Sequence, residues 1–103
     1  MKDINFIVNG MALLKVKSEK IAKGSKGYLR CCFDMQGHDW EGCSTIASFT
    51  DVTGKEIEAV LLEDNSCMVP DKVTDLEMFK VQLIGVRGKI KFVTNSVIMT
   101  QWR

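Results

Sequence analysis

The one histidine of this 103-residue chain, His38, stands between Gly37 and Asp39, with Trp40 next. A base beside a carboxylate is the pairing that proton-transfer and nucleophilic mechanisms use. Cys43 supplies the residue type for a Cys–His nucleophile pair. Neighbours in sequence, however, send their side chains apart on a strand and meet only in a tight turn. Met35-Gln-Gly37-His38-Asp39 has turn composition, and a solvated hairpin loop accounts for it. No motif supports Cys43 with His38. The sequence contains no phosphate-cradling glycine loop, no metal-spaced acid cluster and no Gly-x-Ser-x-Gly. No catalytic residue is assigned, and the expectation is a protein that is not an enzyme.

The cysteines are Cys31, Cys32, Cys43 and Cys67, without a Cys-x-x-Cys pair and without a second histidine. On a strand, adjacent Cys31 and Cys32 point to opposite faces and do not share an ion. That spacing does not suit a structural zinc site. Reduced thiols packed as small hydrophobes are expected instead, with no metal and no cofactor.

These groups need elements to hold them. Phe79-Lys-Val81-Gln-Leu83-Ile-Gly85 alternates apolar and polar residues, as a strand with one dry face requires. Tyr28 to Asp34 repeats the pattern, with Leu29, Cys31 and Phe33 on one face. Trp40 to Thr50 carries Thr45, Ala47 and Phe49 in phase, and Ile57, Ala59 and Leu61 alternate with Glu56, Glu58 and Val60. Shorter extended runs fit Ile4–Val8, Met11–Val16, Cys67–Val69, Lys89–Val93 and Val97–Trp102, with a brief one around Ile21-Ala22. Of Met11–Val16, Leu13 and also Met11 are placed inward. Pro70 to Asp75 suits one helical turn with proline first. No stretch of length has apolar residues at helical spacing. The pattern predicts an all-β, antiparallel β-sandwich, immunoglobulin-like or jelly-roll-like, of about seven to nine short strands with at most one helical turn near 70–75.

Composition sets the bounds. At 46% hydrophobic and 26% charged the chain is ordinary for a folded protein, and one domain over residues 1–103 is expected. The net charge of +1 gives no bulk attraction to nucleic acid or to a membrane. Asp3, Asn5 and Asn9 break any apolar leader, so the chain is expected to stay in the cytoplasm. Charge is nevertheless segregated. Seven basic and two acidic residues run to Phe33, two basic and eleven acidic to Glu77, and five basic with no acidic residue follow. A mixed surface is the plain outcome. The sharper one is a dipolar surface that orients docking copies.

Large aromatics remain as contact candidates. Tyr28, Phe33, Phe92 and Trp102 lie in net-basic segments, which suits a single-stranded nucleic-acid-binding barrel. Phe33 and Phe92 share phase with the apolar residues and belong to the core, leaving Tyr28 beside Arg30. Trp40 suits a sugar-stacking platform in a carbohydrate-binding module, a partner anchor, or a cap on one end of the sandwich. Val97-Ile98-Met-Thr-Gln-Trp102 is apolar on both faces, so an edge strand there needs cover, for which a subunit interface is the preferred source. The interface candidates are Trp40, Tyr28, Ile98 and Trp102.

The order of these features carries a resemblance. Tyr28-Leu-Arg-Cys-Cys-Phe33 is followed by Trp40-Glu-Gly, Ala47-Ser-Phe49 and Asn65-Ser-Cys67-Met-Val-Pro70. Phe79-x-Val81-x-Leu83-x-Gly85 and Val93-Thr-Asn95 complete it. This resembles the N-terminal domain of baseplate upper proteins and related tail structural proteins of phages and prophages of Gram-positive bacteria. The resemblance runs from Tyr28 to the end and is weaker before it. It implies a β-sandwich used as an assembly module, oligomeric, docking to other virion proteins in the tail or baseplate after assembly in the host cytoplasm. It brings no catalytic residue, since Trp40, Ala47, Phe49, Cys67, Pro70 and Gly85 map to core or turn positions. The family's module is often followed by a longer stem. The chain is thus expected to be either a stand-alone protein or a module of a longer one.

Overall fold

The computed structural model describes residues 2–16, 26–74, 76 and 78–100. The elements are β1 (Lys2–Asn9), β2 (Ala12–Lys15), β3 (Leu29–Gln36), β4 (Ser44–Thr50), β5 (Glu56–Val60), β6 (Ser66–Met68), α1 (Asp71–Thr74), β7 (Met78–Arg87), β8 (Ile90–Val93) and β9 (Val97–Thr100). They form two sheets. One has four strands in the order β2-β1-β3-β6; the other has five in the order β5-β4-β7-β8, with β9 also paired to β7. The chain is an all-β sandwich, and its helical turn falls where Pro70 starts it.

Alternation decides which side chains go in. Ile4, Phe6 and Val8 of β1 and Leu29, Cys31 and Phe33 of β3 are buried. They face Ala47 and Phe49 of β4 and Phe79, Val81 and Leu83 of β7. Phe6 stacks on Phe33 with ring centroids 5.1 Å apart, and Phe49 leans on Phe79 at 6.1 Å. Each such ring contributes roughly 1.5–3 kcal/mol by leaving water.

The structure departs from the sequence expectations in four places. β1 and β3 pair in parallel, Lys2 with Leu29 through Asn9 with Gln36, whereas every other pairing is antiparallel. The reason is placement. β2 runs back along one edge of β1 toward its start, and β3 sets out from that same end on the other edge, Leu29 opposite Lys2, so β1 and β3 run the same way. Second, the strand expected from Trp40 begins at Ser44, because residues 38–42 turn, with Gly42 at φ 76°. Third, Met11 is exposed, while Leu13 is buried as expected. Fourth, Phe92 is half-buried at the edge of the core. The brief strand read around Ile21-Ala22 lies outside the described residues.

Two stitches tie the sheets together. The Trp40 indole N–H donates to the Gly10 carbonyl in the β1–β2 turn at 2.8 Å. Its ring lies against Gly85 of β7 and 5.6 Å from the Phe92 ring of β8. Gly85 makes that approach possible: a Cβ there would sit 2.6 Å from Trp40 Cζ3. The second stitch is Asn95, whose amide accepts from Leu13 N–H at 2.7 Å and donates to Leu13 C=O at 3.0 Å. Both polar groups of an edge residue of β2 are thereby satisfied from the other sheet.

Between β8 and β9 the chain shifts along β7, and buried Thr94 fills the step. Its N–H donates to Leu83 C=O at 3.0 Å, and its Oγ1 accepts from Leu83 N–H at 3.0 Å. A hydroxyl thus stands in for a missing ladder carbonyl.

Candidate docking face

Register shows what each sheet presents to water, because residues opposite one another across strands share a face. On the five-stranded sheet, Ile46 pairs with Val60 on one side and Ile84 on the other, and Ile84 pairs with Val93. The outer face therefore carries an unbroken apolar row across four strands, Val60–Ile46–Ile84–Val93. Val60 is 76% exposed and Val93 42%, with Ile46 and Ile84 half-buried between them. Exposed Val86, two residues from Ile84 on the same face, extends the patch.

Each remaining row of that face contains polar or charged side chains. Glu58, Ser48 and Gln82 form one, with Ser48 Oγ donating to Glu56 and the Gln82 amide donating to Thr94 C=O at 2.7 Å. Glu56, Thr50, Lys80 and Ile98 form the next. Lys91 lies beside Val86. Acid thus collects on β5 and lysine on β7 and β8. This gives the segregated charge of the sequence a spatial form across one face.

The four-stranded sheet is built differently outside. Asp3 and Arg30 are register partners on β1 and β3. Arg30 Nε and Nη2 donate to the two carboxylate oxygens, each at 2.9 Å. The hydrogen bond from Arg30 holds the Asp3 carboxyl below its ordinary range, and Asp3 in turn raises Arg30. The next rows place Asn5 beside Cys32 and Ser66, and Ile7 between Leu14 and Asp34. Each of these rows contains a polar or charged side chain.

Of the interface candidates, Ile98 is 51% exposed on the outer face of the five-stranded sheet, beside Lys80. Tyr28 is 48% exposed just before β3, which belongs to the other sheet. Trp102 lies outside the described residues. Trp40 is corrected: it is 6% exposed and both its ring and its N–H are used inside the fold. It is the cap at one end of the sandwich, too buried to serve as a stacking platform for a sugar or as an anchor for a partner. The nucleic-acid reading loses a cation as well, because Arg30 beside Tyr28 is held by Asp3.

Among the described residues, the chemistry-bearing side chains do not converge on one site. Exposed His38 places Nδ1 2.6 Å from Glu41, which raises its pKa first by that hydrogen bond and then by charge. Cys43 lines a cleft of about 250 Å³ with Met35, Trp40, Glu41 and Asn65, and His38 does not line it. Cys31 and Cys67 face each other across β3 and β6, both buried. Their hydrogen bond and burial push the Cys31 thiol well up, which keeps it protonated. Among the described residues no three of His, Cys, Asp and Glu are grouped to hold a metal ion. No described helix is long and apolar enough to cross a membrane.

Sequence reasoning missed the apolar row, although a signal was present. Ile46-Ala47, Val60-Leu61, Leu83-Ile84 and Phe92-Val93 are apolar doublets that break the alternation of their strands. In each, one member lies in the core or packs against it and the other faces out. Only register shows that the four outward members align.

No known family model matches the chain, and no curated protein matches it.

Proposed function

We propose that the chain is a non-enzymatic assembly module that works by self-association and by docking to other structural proteins. The observation that carries this reading is the apolar row across the outside of the five-stranded sheet, bordered by acid on one flank and lysine on the other. A face of this kind loses free energy by leaving water and meets a partner in a preferred orientation. His38 is engaged by Glu41, Arg30 by Asp3 and Trp40 by the fold. The setting we propose is the tail or baseplate of a phage or prophage, which rests on the resemblance in the segments from Tyr28 onward.

Two measurements test this. Sizing by light scattering over a wide concentration range should show reversible oligomers that weaken with added salt. Mass spectrometry of particles purified from the host should find the chain in virions. A chain that stays monomeric and never copurifies with particles ends the reading.

A further inference from the structure

Resting on that reading, we infer that the occupant of the apolar row is a second copy of this chain, stacked face to face about a twofold axis parallel to the strands. Such an axis exchanges β5 with β8 and β4 with β7. It sets Val60 over the second copy's Val93 and Ile46 over its Ile84, so the row is complementary to itself. An isologous contact requires this kind of self-matching. The same rotation sets Glu56 of each copy over the second copy's Ile98, in the row that also holds Lys80. Glu56 and Lys80 lie in one row of the face, two strands apart. After the rotation Glu56 comes one strand away from the second copy's Lys80, and the symmetry makes this pair twice. The right-handed twist of the sheets leaves such stacked faces aligned to within about 30°.

Edge-to-edge pairing of β5 with its own copy is disfavoured by comparison, because Glu56 and Glu58 would meet Glu58 and Glu56. The size of the face sets the strength. Four strands spaced ~4.8 Å apart and seven residues long cover roughly 19 by 24 Å, about 450 Å². That is well below the ~800 Å² per partner of a standard interface, so the dimer is weak and visible on the order of 100 µM.

The test is sedimentation of the whole chain with paired variants, folding being checked by circular dichroism. Val93→Lys should weaken the dimer at least about tenfold. Glu56→Lys alone and Lys80→Glu alone should each weaken self-association, because each places like charges together twice. An equimolar mixture of these two variants should dimerise better than either alone, since both cross-pairs are then opposite in sign. High salt should abolish that preference. If wild-type protein is monomeric at that concentration, the second copy is not the occupant and the face is left to another protein. Oligomers indifferent to Val93→Lys and to the charge swaps overturn the face while leaving an assembly module in place. Growth beyond a dimer, as β5 pairing edge to edge with β8 would give, overturns the twofold arrangement.

Discussion

The two sheets share a core but treat water differently. Outside the four-stranded sheet, Asp3 and Arg30 lock to each other and Asp34 interrupts the apolar side chains Leu14 and Ile7. Outside the five-stranded sheet, four apolar side chains align across four strands without interruption. The first face satisfies itself and the second does not. Overall hydrophobicity does not distinguish them, since the four-stranded sheet exposes Leu14 and Val16. Alignment does: an apolar patch becomes a surface for docking when register makes it continuous.

The largest expected effect separates the two sides of one strand. Leu83 is fully buried and its neighbour Ile84 points out. Leu83→Ala should cost about 2–5 kcal/mol in denaturant unfolding and leave association of the folded fraction unchanged. Ile84→Lys should do the reverse, with a small stability change and a loss of self-association. If both variants act alike, the distinction between inside and outside fails.

Gly85→Ala comes next. The added methyl meets the Trp40 ring, and overpacking of this kind costs about 1–3 kcal/mol. Trp40→Leu in the same chain should recover part of the loss from Gly85→Ala, measured as a double-mutant cycle. Thr94→Val removes the acceptor for Leu83 N–H in a buried site, for which about 1–3 kcal/mol is expected by thermal unfolding.

The smallest effect concerns the self-satisfied face. Folded Asp3 holds its proton less tightly than at its ordinary value of 3.8, chiefly through the hydrogen bond from Arg30. Its contribution to stability is therefore full above that pH and fades as pH falls through the lower folded value. Arg30→Met should remove this small increment at neutral pH, converge with the wild type at acid pH so that the limb flattens, and leave self-association as it was. An effect of Arg30→Met on the dimer would move the docking surface to the other sheet.

Much of the fold was legible because period-two alternation reports one dry face directly. Phe79, Val81 and Leu83, and Leu29, Cys31 and Phe33, all sit where that rule places them. The parallel pairing of β1 with β3 was not legible, since alternation is the same in either direction and the edge a strand joins is decided by tertiary packing. Trp40 misled as a contact residue because a large aromatic anchors an interface or a core with equal chemistry. What decides between them is Gly85, distant in sequence and meaningful only as a missing side chain. The docking row was hidden for a related reason. Each doublet that builds it is local, but their alignment depends on three separate registers.

The bare backbone under the indole has an evolutionary corollary. Positions 40 and 85 share one volume, so position 85 cannot drift alone: a descendant that gains a side chain at 85 must shrink the ring at 40, and the loss of tryptophan should precede or accompany the loss of glycine.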